Sequence, residues 1–414
     1  MSNIIDTCKK AKAMVGYVAG FSTADKDMLL HAVADALVIS ENVKIILTAN
    51  KKDIERCTRE AQFVDRLTLT PERIKGIAEG VKEVAKLPDP IGAVIEERTL
   101  YNGLELSKVR VPLGVVGVIY EARPNVTADV IALTLKTGNA VVLRGSKDAY
   151  ESNKAIVNVI KTAIKKAGFQ NDFIQLIEDT TREGATEFMR ARGFIDVLIP
   201  RGSVALIENA VLNSTVPVIE TGAGNCHVYV DKCADVQMAL DIILNAKCQR
   251  PSVCNALETL LICADIADSF LPIAVEKLQK AGVTVRGDKA VQNISKEVLE
   301  ATEEDFYKEY GALEIAVKVV RDVEEAIAHI NKYGTKHSDA IVTKDEKSAK
   351  LFVAEVDSAC VYVNASMRFS DGFEFGLGAE VGISTQKLHA RGPMGLEALT
   401  STKYVVRGTG QVRK

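Results

Sequence analysis

No G-x-G-x-x-G follows the first strand-like segment of this 414-residue chain, and no Walker A sequence is present, so neither standard phosphate-binding loop can be invoked. The nearest glycine cluster, FGLGAEVG at residues 375–382, has the wrong spacing and comes late. No charge of one sign prevails: 52 Lys and Arg stand against 55 Asp and Glu, a formal net charge of −3. That removes the electrostatic case for nucleic acid or a membrane surface as partner. No apolar run approaches the length of a membrane span. The opening MSNIIDTCKKAKAM lacks the apolar core of a secretory signal. The eight cysteines (8, 57, 226, 233, 248, 254, 263 and 360) include no C-x-x-C pair. Their scatter argues against a disulfide framework and a structural zinc site, no metal ligands are expected, and reduced thiols point to a cytoplasmic setting.

What is present describes a globular α/β protein. The 47% hydrophobic and 26% charged shares are those of a packed soluble fold, and the length calls for two or three units. The first ninety residues carry helical periodicity, as at Leu29, Leu30, Val33 and Leu37, and Thr70-Pro71 is a helix start with proline in the first turn. The period then changes to alternation across AVIEERTLYNGLELSKVRVPLG. Asn102-Gly103 at its centre predicts a β-hairpin, with which the strand-like, basic tail ALTSTKYVVRGTGQVRK could pair. From residue 114 buried strands (GVVGVIYEA, NAVVLRGS, FIQLI, DVLIP, VPVIE) alternate with helices, one of them closed by Gly168. A second such series starts near 248. The alternation predicts parallel, doubly wound sheet.

Chemistry can be placed only in part. DVLIPRGSVALIENAV reads as strand, loop and helix, and a helix start with Gly202 and Ser203 can hold a phosphate, although an ordinary βα turn fits as well. In VVLRGSKD, Arg144, Ser146 and Lys147 crowd a strand's C-terminal end, where ligands of open α/β sheets gather. Asn125, opening a helix after RP, could donate toward that edge or cap its helix. Glu220, before a glycine-rich turn, could be a general base or a hydrogen-bond acceptor. Among the cysteines, Cys263 and Cys360 border apolar strands and read as core. Cys254 lies after Arg250-Pro251-Ser252 at an expected loop-to-helix junction, where a cation and a helix N-terminus favour thiolate. Cys226, after the glycine-rich turn, remains a fair rival.

Taken together, GVIYEARPNVTAD, NAVVLRGSKDAYESN, PVIETGAGNCHVYVD, QRPSVCNALETLL and FGLGAEVGISTQKLHARGPMGLEALTSTKYVVRG resemble the gamma-glutamyl phosphate reductase branch of the aldehyde dehydrogenase superfamily. The resemblance runs through most of the chain. It implies an aldehyde dehydrogenase-like α/β fold with a Rossmann-like NADP-binding domain (1–93 and 113–245), an α/β catalytic domain (246–385), and an oligomerisation hairpin with a C-terminal strand (94–112 and 386–414). It implies NADPH-dependent reduction of L-glutamyl 5-phosphate to the semialdehyde in proline biosynthesis, a homo-oligomer, and association with the upstream glutamate kinase. By the same resemblance Cys254 is the nucleophile that forms a thioacyl enzyme, and Asn125 is the oxyanion donor. Arg144, Ser146 and Lys147 meet the adenosine ribose and its 2′-phosphate, Gly202 and Ser203 the pyrophosphate, and Glu309 the nicotinamide ribose.

Arg123, Arg250 and Arg391 are substrate candidates on charge and motif proximity alone. Glu220 aligns with the water-activating base of hydrolytic relatives. Acyl transfer from phosphate needs no activated water, so its role stays open. A hydrolytic NAD(P)-dependent aldehyde dehydrogenase is the alternative activity, and a nucleotide-binding protein without catalysis is the alternative class.

Overall fold

A computed structural model describes residues 3–413, less the side chains at positions 61 and 62. The chain forms two units. The first runs up to Thr221 and takes in Gly376–Gly382 and the stretch from Pro393; the second comprises Gly222–Phe375 and Ile383–Gly392. This boundary lies earlier than the 245/246 expected from sequence. Residues 226–230 form a strand hydrogen-bonded on both sides within the second unit's sheet, which fixes that segment there. Residues 386–392, expected with the tail, likewise belong to the second unit.

In the first unit the N-terminal helices start where capping chemistry says they should. Ser22 and Asp25 form a reciprocal capping box on the helix Thr23–Leu37. Thr70 caps Pro71–Lys86, with proline at the first helical position. Strands β1 (Val94–Thr99) and β2 (Glu105–Pro112) form the antiparallel hairpin, turning at Asn102-Gly103 with Gly103 at φ +79°. The C-terminal strand Thr400–Arg407 pairs antiparallel with β2 along its whole length, from Thr400 opposite Pro112 to Arg407 opposite Glu105. β1 is exposed throughout.

Strands β3 (Val115–Tyr120), β4 (Ala140–Gly145), β5 (Ile174–Leu176) and β6 (Val197–Arg201) form a parallel sheet in the order β5-β4-β3-β6. β3 and β4 are buried on both faces, which explains their unbroken apolar sequence. The helix Tyr150–Lys166 ends as expected, with Gly168 at φ +90°. VPVIE, expected as a strand, makes only a single bridge between Val218 and Leu198. Pro217 has no N–H to extend a ladder.

The second unit holds seven parallel strands: β7 (Cys226–Val230), β8 (Leu257–Cys263), β9 (Thr284–Gly287), β10 (Leu299–Glu300), β11 (Glu314–Val320), β12 (Ser338–Val342) and β13 (Cys360–Val363). Their order is β10-β9-β11-β8-β7-β12-β13. Val228, Leu260 and Val317 pack against the helices Val236–Cys248 and Ala264–Lys280. Tyr229, Leu261 and Ile341 face the helices Val323–Tyr333 and Glu346–Glu355 on the other side. Helices on both faces make this the doubly wound arrangement that the alternation predicts. No helix among the described residues is long and apolar enough to cross a membrane.

Candidate active site

In the first unit the chain leaves β3 for β4 and β5 on one side, then returns to β6 on the other side of β3. That reversal opens a crevice at the C-terminal ends of β3 and β6. Tyr120 is level with Gly145 and Arg201, so the residues that follow these strands share one edge.

After β3, the helix Pro124–Lys136 begins with proline at its first position, and Asn125 is exposed in its first turn. Asn125 does not cap the helix. Its Nδ2 donates to Oδ2 of Asp129, one turn on, at 3.1 Å. Burial raises the Asp129 carboxyl to about 6, against the opposing pull of the Asn125 hydrogen bond and of Arg201. Arg123 is exposed at the head of the same helix.

After β6, Ser203 stands at the N-cap of the helix Val204–Asn213, yet its hydroxyl caps nothing. Ser203 Oγ donates to Glu121 Oε1 at 2.8 Å and Ser203 N donates to Oε2 at 2.9 Å. A Cβ on Gly202 would lie 2.7 Å from the Glu121 carboxyl carbon, so only glycine lets that carboxylate approach. The expected pyrophosphate turn thus already binds an anion, and the anion is a side chain the sequence reading missed.

After β4, Arg144 is buried and donates through Nη2 to the Thr181 carbonyl at 2.6 Å. Burial lowers its pKa, offset by Asp179. Its Nε and the Ser146 Oγ are buried without hydrogen-bond partners. Orphaned polar atoms of this kind are costly unless a ligand satisfies them. They fit a ribose phosphate, with the exposed Lys147 alongside. Glu220 is half-buried near the end of this unit.

In the second unit the site residues gather at the N-terminal ends of the strands, the reverse of the edge used in the first. Cys254 lies in the loop between the helix Val236–Cys248 and β8. The segment after it is therefore a strand, not the helix expected, and the helix-dipole argument for its thiolate does not apply. NALETLL reads equally as a buried strand, because short apolar runs do not reveal their period. Cations remain as the local electrostatic influence. Arg368 interacts with both Cys254 and the exposed Arg250, and burial lowers the Arg368 pKa while Cys254 opposes that shift. Arg368 Nε donates to Gln249 Oε1 at 2.9 Å. Sequence reasoning missed this arginine, because it is 114 positions further along the chain.

The rival thiol lies in different surroundings. Cys226 is fully buried, its Sγ donates to the Cys254 carbonyl at 3.2 Å, and burial pushes its pKa well above the ordinary thiol value. It supports the loop that carries Cys254. Cys254 is half-buried, and none of the eight cysteines is in a disulfide. A Cβ on Gly224 would lie 1.5 Å from the Cys254 carbonyl oxygen, so the two backbones pack directly together.

The loop is held at both ends by one buried ion pair. Lys247 Nζ lies 2.7 Å from Glu258 Oε2, both side chains being fully buried, and donates also to the Leu257 carbonyl at 2.7 Å. Glu258 Oε1 accepts from Gly311 N at 3.1 Å. Burial raises Glu258 to about 7 and lowers Lys247. Glu309 acts on both Glu258 and Cys226, which puts it beside this loop. Arg391 lies elsewhere in the unit, bonded to Asp357 at 2.9 Å together with Lys336 and Lys387. No group of metal-ligating residues exists among the described residues.

Comparison with known proteins identifies the company this chain keeps. Residues 2–304 match the model of the aldehyde dehydrogenase family. The chain is 54% identical to the gamma-glutamyl phosphate reductase of Carboxydothermus hydrogenoformans, covering 100% of both chains. It is 54% identical to that of Thermobifida fusca, over 98% of this chain and 97% of the relative. The crystal structure of gamma-glutamyl phosphate reductase from Thermotoga maritima superposes with a TM-score of 0.96 at 45% identity, with both chains fully covered. A propionaldehyde dehydrogenase from Rhodopseudomonas palustris shares the fold alone, at TM-score 0.72 and 15% identity over 98% of this chain and 94% of that one.

Proposed function

The chain belongs to the aldehyde dehydrogenase family, among its gamma-glutamyl phosphate reductases, and we propose that it reduces L-glutamyl 5-phosphate to L-glutamate 5-semialdehyde and phosphate, the second step from glutamate to proline. The observation that carries this reading is 54% identity over the full length of a named reductase. The protein is an oxidoreductase that uses a nicotinamide cofactor; the choice of NADP(H) belongs to the proposal.

Cys254 acts as thiolate. It attacks the acyl carbon, the bond from that carbon to the phosphate oxygen breaks, and inorganic phosphate leaves a thioester on the sulfur. When bound, the reduced nicotinamide supplies a hydride to the acyl carbon. The resulting thiohemiacetal collapses to the aldehyde and returns the Cys254 thiolate. The Asn125 amide and the Cys254 backbone N–H donate to the oxyanion, a donor of this type contributing about 3–4 kcal/mol. Arg250 and Arg368 favour thiolate over thiol. A water-activating base would hydrolyse the thioester and waste the acyl group, so Glu220 is not assigned that task.

Arg144, Ser146 and Lys147 would hold the adenosine ribose and its 2′-phosphate, with Nε of Arg144 and Oγ of Ser146 the buried atoms that lack partners. Gly202 and Ser203 would take the pyrophosphate as Glu121 yields its hydrogen bonds, and Glu309 would hold the nicotinamide ribose. Arg123, Arg250 and Arg391 stay candidates for the substrate's anionic groups. The open hairpin and the C-terminal strand suit a homo-oligomer. A cytoplasmic site and association with the glutamate kinase that makes the labile acyl phosphate complete the reading.

The test runs the reaction backwards. Reduction of NADP by glutamate semialdehyde should require phosphate or arsenate, and Cys254→Ser should abolish it. Equal activity without either anion would establish the hydrolytic alternative. Full activity of the serine variant would overturn the thioacyl route.

A further inference from the structure

The Asp129 carboxylate stands beside Asn125 in the helix Pro124–Lys136. It is half-buried, burial raises its pKa, and its hydrogen-bond donor is Asn125 Nδ2 at 3.1 Å. Arg201, at the end of β6, acts on it from outside ion-pair distance, and no lysine or arginine among the described residues pairs with it. Glu121, which follows β3, is already engaged by Ser203. A carboxylate held partly out of water without a direct ion pair is costly, and a cation that arrives with the ligand would stabilise it further.

We propose that Asp129 binds the α-ammonium of the substrate and so selects an acyl phosphate that carries an α-amino group. This rests on the reading above, in which Asn125 holds the acyl oxygen of a glutamyl chain. In that chain the acyl carbon and the amino nitrogen are four bonds apart, about 5 Å when extended. Asn125 and Asp129 are one helical turn apart on the same face, a pitch of about 5.4 Å. The two side chains meet at 3.1 Å, and with a hydrogen bond of about 3 Å reaching out from each, two substrate groups about 5 Å apart lie within their combined reach. Arg201, which acts on Asp129, offers the complementary charge for the α-carboxylate of the same head group. Position 129 therefore reads the presence of the amino group.

The experiment compares two aldehydes in the phosphate-dependent reverse reaction at pH 7.5. One is glutamate 5-semialdehyde, corrected for its cyclised fraction; the other is glutarate semialdehyde, which lacks the amino group. The wild-type enzyme should prefer the first in kcat/KM by about 10- to 100-fold, the range of one charge-assisted hydrogen bond. Asp129→Asn should bring that ratio close to 1, and Asp129→Glu should recover part of it. If Asp129 only orients Asn125, both aldehydes lose activity by the same factor, the ratio stays unchanged, and the proposal is overturned. NADPH binding checks that each variant is folded, and the charge-retaining glutamate variant carries the comparison should the asparagine variant fail that check. Wild-type enzyme inactive with both aldehydes would refute the reaction itself, an outcome distinct from activity without discrimination.

Discussion

Replacing Glu258 by alanine tests whether the loop carrying Cys254 is held from below. The substitution removes the partner of a fully buried ammonium at 2.7 Å and the acceptor of Gly311 N–H at 3.1 Å. Leaving one charge of a buried pair without its partner costs about 3–5 kcal/mol, and an unsatisfied buried N–H about 1–3 kcal/mol. Lys247 can limit the first cost by releasing its proton, since burial already lowers its pKa. We therefore expect a loss of about 4 kcal/mol. The double variant Lys247→Met, Glu258→Leu removes both charges and takes one hydrogen bond each from the Gly311 N–H and the Leu257 carbonyl, so it should be more stable than Glu258→Ala by about 2 kcal/mol. Urea unfolding followed by far-UV circular dichroism measures both, a suitable probe because the chain contains no tryptophan. A loss under about 1 kcal/mol for Glu258→Ala, or a double variant weaker than the single one, would refute the reasoning. Turnover should fall by about 100-fold in either variant, since a misplaced nucleophile loses its attack geometry.

Cys226→Ser should keep kcat within about tenfold, because a serine hydroxyl can donate to the same carbonyl, and iodoacetamide mapped by mass spectrometry should label Cys254 well before Cys226. Gly224→Ala places a Cβ 1.5 Å from the Cys254 carbonyl oxygen, so steady-state turnover should fall by about 100-fold or more. Burial holds His329 at about 3, below its ordinary 6.5. Between those values the unfolded chain binds a proton that the folded chain does not, so stability is lost as pH falls from 6.5 toward 3. His329→Leu should make that loss shallower in acid unfolding curves. Arg144→Ala should weaken NADPH binding by about tenfold or more in fluorescence titrations while sparing NADH; equal weakening of both would detach Arg144 from the 2′-phosphate.

Elements whose signals are local were legible from sequence. Thr70-Pro71, Asn102-Gly103 and Gly168 each fix a backbone angle or a cap by their own chemistry, and the structure has a helix start, a hairpin and a helix end at those points. A strand stands after Cys254 where a helix is expected, because the apolar run there is too short to show a period. The unit boundary was placed late because no linker marks it, the chain passing from Thr221 into β7 within a few residues. Three site features left no local trace. Glu121 meets Ser203 across 82 positions, Arg368 acts on Cys254 across 114, and Gly311 meets Glu258 across 53. Only the sheet order brings them together. Asp129 differs from these: it lies within RPNVTAD, four residues from Asn125, and helical spacing alone puts the two on one face.

The pairing of β2 with the strand Thr400–Arg407 sets a schedule for the growing polypeptide. On the ribosome, residues 105–112 emerge about 290 residues before their partners. At about 5–20 residues per second that is a delay of roughly 15–60 s. For that interval β2 offers a bare edge to any neighbouring chain, including identical copies on the same messenger. The defence lies in composition, since Lys108 and Arg110 fall on that edge between shorter apolar residues. Shortening the tail would make the delay permanent, and the first symptom should be aggregation of nascent protein rather than a slower enzyme.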